Sequence, residues 1–104
     1  GMHRLGILPQ QVESVYTKLI ASPNVESVVL MTHFADADNV GGAHTAMQIN
    51  RFENCIQPIV TNTNQHVELS MANSAALLAW QQTRVGWNRP GIILYVLSPF
   101  SEPL

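Results

Sequence analysis

The sequence predicts an α/β domain built from parallel β/α units, and three observations carry that reading. Segments with apolar residues at helical spacing alternate with short, continuous apolar runs. The run Val28-Val29-Leu30-Met31 is unbroken, as in a strand covered on both faces. A stretch without period, His33 to Gly42, follows that strand and ends in a glycine pair, as a loop at a strand end would.

The first element is an amphipathic helix over Pro9–Ala21. Pro9 suits a first helical position, and Val12, Val15, Tyr16, Leu19 and Ile20 recur at helical spacing. Ser22-Pro23-Asn24 stops it, because Pro23 disfavours the α conformation at Ser22. A strand over Val25–Thr32 comes next, then the loop. Helical spacing resumes over Ala43–Ile56 through Met47, Phe52 and Ile56, and Pro58–His66 reads as a polar connection. Val67–Met71 is a short strand, and Ala72-Asn73-Ser74 leads into a short helix, AALLAW, with a polar cap. Trp87–Arg89 could form another strand before Pro90-Gly91, and propensity favours a strand over Ile92–Leu97. No internal repeat or low-complexity tract is visible.

The 104 residues make one domain at most. Hydrophobic residues are 46% and charged residues 12% of the chain, too apolar for disorder and low in charge for an ordinary surface. That composition also fits a piece of a larger protein whose other parts cover apolar surface. A net charge of −2 offers no basic footprint for nucleic acid. Apolar runs of five or six residues span no membrane, and no secretory leader opens the chain. The lone Cys55 rules out an intrachain disulfide and fits a reducing, cytoplasmic compartment.

Polar residues of chemical interest fall where strands end, which is where such folds carry their chemistry. His33 follows directly on the apolar strand and is either a hydrogen-bonded structural group or a functional one. His33, Asp36, Asp38 and His44 could be metal ligands, as in a metal hydrolase, although their spacing matches no defined zinc pattern. Asn73-Ser74 is a helix cap or, with its free N–H groups, an anion site; Pro90-Gly91-Ile92 offers a second N–H pair. Arg89 lies between Trp87 and an apolar run and needs a partner, because it keeps its charge. Arg4 reads as exposed, and Cys55 as a filler on a helix face.

The segments GMHRLG, MTHFADAD, MANSAALLAW and NRPGIILY occur together in an order and spacing that resemble the pyridoxal-phosphate-dependent alanine racemases. The likeness covers essentially the whole chain. It implies that residues 1–104 are part of an N-terminal barrel domain, matching the second half of an eightfold β/α barrel. It implies pyridoxal 5'-phosphate as cofactor, alanine as substrate, and as partners the rest of a racemase chain and a homodimer mate. Arg4 would face the cofactor's phenolic oxygen and the substrate carboxylate. Arg89 would face the pyridine nitrogen, with His33 hydrogen-bonded to it. Asn73, Ser74, Gly91 and Ile92 would surround the phosphate, and Asp38 would lie at the channel entrance. No metal is implied.

The resemblance also implies a helical turn after Gly91, against the propensity for a strand there. It places the Schiff-base lysine and the catalytic tyrosine outside residues 1–104, so that this chain alone is expected to be inactive. One departure stands out. The family pattern has glycine where this chain has Val96, and a positive φ there would make valine costly. The alternative to a racemase segment is a non-enzymatic half-barrel that binds anions or oligomerises.

Overall fold

A computed structural model describes all residues, 1–104. Its centre is a parallel pair of strands, β1 (Val29–Met31) and β2 (Glu68–Ser70), with Val29 opposite Glu68, Leu30 opposite Leu69 and Met31 opposite Ser70. The pairing runs one bond further, from Thr32 N–H to the Ser70 carbonyl at 3.1 Å. Helix α1 (Val12–Ile20) precedes β1, α2 (Ala43–Asn62) makes the crossover between the strands, and α3 (Ser74–Ala79) follows β2. The α/β reading with parallel strands therefore holds.

Local signals set several boundaries. Pro9 opens a 3-10 turn, Pro9–Gln11, that feeds α1. The helix ends at Ala21, and Ser22 N–H closes the last turn on the Leu19 carbonyl at 3.1 Å. Asn73 caps α3: its side-chain oxygen accepts from Ala76 N–H at 3.0 Å, satisfying one of the donors a helix start leaves over.

Four expectations need correction. The second helix does not stop at Ile56; it continues through Pro58 to Asn62, where a polar connection was expected. A proline inside a helix removes a hydrogen bond and costs about 3 kcal/mol. Here Ile56 and Ile59, on either side of it, are both buried with Tyr16 of α1 and Leu30 of β1, and that packing carries the helix across. Secondly, β1 is shorter than Val25–Thr32 and is covered on one face only. Leu30 is buried under α1 and α2, whereas Met31 is 58% exposed and Val29 40%. Thirdly, Trp87–Arg89 forms no strand. A single antiparallel bridge joins Gly86 to Ser70, and Trp87 N–H bonds the Leu69 carbonyl at 2.9 Å. Gly86 has φ +53, and a Cβ there would run into the Leu69 carbonyl, so this approach requires glycine. Finally, Ile92–Tyr95 is a 3-10 turn rather than part of a strand, as the resemblance implied. Val96 ends it at φ +60.

A second buried cluster joins the strand ends to the helices: Phe34 and Ala37 from the loop after β1, Ile49 from α2, and Met71, Ala72, Ala75 and Ala76 around the start of α3. Phe52 packs against both clusters, making one continuous core beneath the carboxyl ends of the strands. No helix is long and apolar enough to cross a membrane.

Candidate functional site

Arg89 lies at the carboxyl ends of both strands. Its backbone N–H bonds the Ala72 carbonyl at 2.9 Å, which places the residue beside the end of β2. Its Nη2 donates to the Thr32 carbonyl at 2.8 Å and to the Met71 carbonyl at 3.3 Å, and its Nη1 donates to Ser70 Oγ. The guanidinium thus closes off carbonyls that the short strands leave unpaired. Burial draws its pKa below the ordinary arginine value, yet none of these partners is a carboxylate. The positive charge stays uncompensated at the strand ends, and the Nε–H is left without a partner in the chain.

His33 Nδ1 sits 3.5 Å from Arg89 Nη2. Arginine can only donate, so the Nδ1 must be the accepting, unprotonated nitrogen and the proton of the neutral ring lies on Nε2. The imidazole pKa is lowered, first by burial and then by the charges of Arg89 and Arg4. Arg4 itself is exposed.

A second group of donors forms where two turns meet. Ser74, buried at the start of α3, accepts from Ile93 N–H at 3.4 Å, tying the Ile92–Tyr95 turn to the helix. Its hydroxyl hydrogen remains free to donate. The backbone N–H groups of Ser74, Ala75, Gly91 and Ile92 have no partner within the chain. Gly91 has an ordinary φ of −81°, and a Cβ there would meet nothing within 4 Å. Gly91 and Ile92 are exposed, whereas Ser74 and Ala75 are buried. Asn73 contributes by position: while its oxygen caps α3, its Nδ2 donates to the Phe34 carbonyl at 3.4 Å and holds the loop after β1.

His33 and Arg89 therefore meet at the strand ends, and Asn73 and Ser74 at the start of α3 meet the turn that follows Gly91; no hydrogen bond brings exposed Arg4 to either group. Asp38 stands apart, exposed in the loop with Asn39 and facing a cleft shared with Phe100 and Leu104. Asp36 accepts from Asn39 Nδ2 at 3.2 Å, and no three of the chain's His, Cys, Asp and Glu side chains converge as a metal site would need. Cys55 is half-buried with Sγ 3.4 Å from the Pro9 carbonyl, and burial pushes its thiol pKa up, which suits a filler.

Ser70 and Gln48 went unnoticed in the sequence. Ser70 receives Arg89 and donates to the Trp87 carbonyl at 2.7 Å. Gln48 is buried on α2 and grips the loop after β1, accepting from Ala35 N–H at 3.0 Å and donating to the His33 carbonyl at 3.3 Å. A signal for Gln48 did exist: it is a polar residue on the helix stripe that carries Thr45, Ile49, Phe52 and Ile56. Nothing in a three-residue strand marked Ser70.

The fold and site define a class, an α/β protein whose polar groups meet at the carboxyl ends of parallel strands. Comparison with known proteins narrows it. The family profile described as "Alanine racemase, N-terminal domain" matches residues 1–99. The chain is 40% identical over its whole length to the alanine racemase of Actinobacillus pleuropneumoniae serotype 5b, covering 26% of that protein. It is 46% identical over 100 residues to the alanine racemase of Shewanella loihica, again over 26% of the relative. Among solved structures, the biosynthetic alanine racemase of Pseudomonas aeruginosa superposes with a TM-score of 0.80 at 34% identity, over 99% of this chain and 27% of that one. The alanine racemase of Acinetobacter baumannii gives 0.82 at 32% identity, over 99% and 28%. The chain belongs to the alanine racemase family. It spans about a quarter of the length of the relatives it matches.

Proposed function

We propose that residues 1–104 form the second half of the barrel in a pyridoxal-phosphate-dependent alanine racemase, where they hold the cofactor and orient the substrate. The observation that carries this reading is Arg89, charged, fixed by a hydroxyl and two carbonyls, and paired with no acid. The exposed Val29 and Met31 face of the sheet is the surface that the remaining barrel strands would cover.

The residues present fit a phosphorylated pyridine. A dianionic phosphate needs several donors, and the Ser74 hydroxyl with the free N–H groups of Ser74, Gly91 and Ile92 would supply them, with open space beside Gly91. Asn73 fixes the start of α3 that presents them. When bound, the cofactor supplies an electron-withdrawing ring that acidifies the Cα–H of an amino acid. Arg89 would face the ring nitrogen, with its Nε–H still free to donate. Because a guanidinium gives no proton away, Arg89 would leave that nitrogen an acceptor and temper the ring's electron demand. Such restraint favours returning the proton to Cα over side reactions. His33 accepts from Arg89 and keeps the guanidinium plane in place. Arg4 would meet the substrate carboxylate of L- or D-alanine, and Asp38 would lie at the channel entrance.

The groups that move the proton belong to other segments in this proposal. Lys18, the single lysine here, is exposed on the last turn of α1. A homodimer mate is part of the same reading, since the resemblance places active sites between subunits. The test is a titration of the intact protein with pyridoxal phosphate and with pyridoxal. Ser74→Ala should weaken pyridoxal phosphate about tenfold, the worth of a charge-assisted hydrogen bond, and leave pyridoxal unchanged. Equal effects on the two ligands would refute the phosphate role.

A further inference from the structure

Asp38 is carried by a four-residue turn, Asp36–Asn39. Asn39 N–H closes it on the Asp36 carbonyl at 3.1 Å, and Asn39 Nδ2 donates to the Asp36 carboxylate at 3.2 Å. The central peptide of this turn joins Ala37 to Asp38. Neither residue has a positive φ, as in a type I turn. Rotating that one peptide by about 180° would give a type II turn closed by the same backbone hydrogen bond, with Asp38 at positive φ. Aspartate tolerates that region better than most residues. The turn by itself therefore leaves two orientations of the peptide open to Asp38.

A residue far along the chain chooses between them. The indole Nε1–H of Trp80 donates to the Ala37 carbonyl at 2.9 Å. That carbonyl belongs to the central peptide itself, so rotating the peptide breaks the bond. Trp80 is itself held in place. It ends α3, its backbone N–H bonds the Ala76 carbonyl at 2.9 Å, and it packs against the buried cluster that contains Ala37. We propose that Trp80 is a positioning residue for Asp38: its indole N–H selects one orientation of the Ala37–Asp38 peptide and so fixes where the exposed Asp38 carboxylate stands. This rests on the reading of Asp38 at the channel entrance given above. An amino acid passing that entrance as a zwitterion meets a carboxylate of set direction, which attracts its ammonium group.

The test compares wild type with Trp80→Phe, Asp38→Ala and the double variant in the intact protein. Phenylalanine keeps an aromatic ring in the cluster and removes the donor. In the ligand-free protein, NMR should find the wild-type Trp80 indole N–H slow to exchange. In Trp80→Phe the HN–Hα coupling of Asp38 should move towards a two-state average. The KM for alanine should rise up to about fivefold, the worth of one hydrogen bond, and by more than kcat falls. On an Asp38→Ala background, Trp80→Phe should raise KM no further, whereas a merely structural role would add its full effect. Asn39→Ala, at an exposed position, loosens the same turn from its other side and should raise KM likewise, even if Trp80→Phe does not fold. An unchanged Asp38 coupling, or additive effects on KM, would overturn the role of Trp80. A changed coupling with KM unmoved by Asp38→Ala would overturn the entrance reading of Asp38, and the kinetic role of Trp80 with it.

Discussion

Ser70 Oγ donates to the Trp87 carbonyl across 2.7 Å, and because a hydroxyl has one hydrogen, it must accept the bond from Arg89 Nη1. One side chain thereby sets the segment that delivers Arg89 and the arginine's own orientation. Ser70→Ala should strand the Trp87 carbonyl and one guanidinium N–H at a buried position. The expected loss of stability is about 1–3 kcal/mol, seen as a lowered Tm. Ser70→Thr keeps the hydroxyl and should recover part of the loss; no difference between alanine and threonine would contradict the account.

Gln48 makes a comparable tie between α2 and the loop that begins at His33. Gln48→Leu conserves volume but leaves Ala35 N–H and the His33 carbonyl without their partner. Stability should fall by about 1–3 kcal/mol. Amide exchange at Ala35 should rise more than exchange in α1, which Gln48 does not touch.

The His33 imidazole binds its proton more weakly in the folded chain than in the unfolded one, because burial and the charges of Arg89 and Arg4 oppose it. Its contribution to stability is therefore fully present above the ordinary value of 6.5 and is lost as pH falls from there through the folded value. Unfolding followed between pH 7 and pH 5 should show this acid loss in wild type and a shallower one in His33→Gln. In Arg89→Leu, NMR titration should find the His33 pKa moved upward. A downward move would show that Arg89 does not act on the ring.

Arg89→Glu tests the proposed restraint on the cofactor ring. A carboxylate would face the Thr32 and Met71 carbonyls instead of donating to them, so stability should fall. In the intact protein, racemisation should drop while pyruvate from transamination appears, because an acid at the ring nitrogen lets it take up a proton. A variant that folds, racemises slowly and releases no pyruvate would remove the role given to Arg89. Arg89→Lys should lose activity as well, since an ammonium cannot span Ser70, Thr32 and Met71 from one plane.

Where the sequence was sufficient, the interactions were local. Pro9 opening the turn that leads into α1, Ser22-Pro23 following its end and Asn73 capping α3 each act within four residues, so their chemistry can be read in place. The alternation of helices and apolar runs likewise determined an α/β chain, and four motif blocks in register pointed to its family. Tertiary structure decided the rest. Pro58 stays helical because Ile56 and Ile59 pack with Tyr16 and Leu30, contacts more than twenty residues away in sequence. Ile92–Leu97 has strand propensity but no strand beside it, and Ile93 N–H finds Ser74 Oγ, so a turn forms instead. Ser70, Gln48 and Arg89 acquire their roles only when the ends of β1 and β2 lie beside the start of α2. A buried donor takes whichever acceptor the fold brings within about 3 Å, and that choice is not written in its neighbours along the chain.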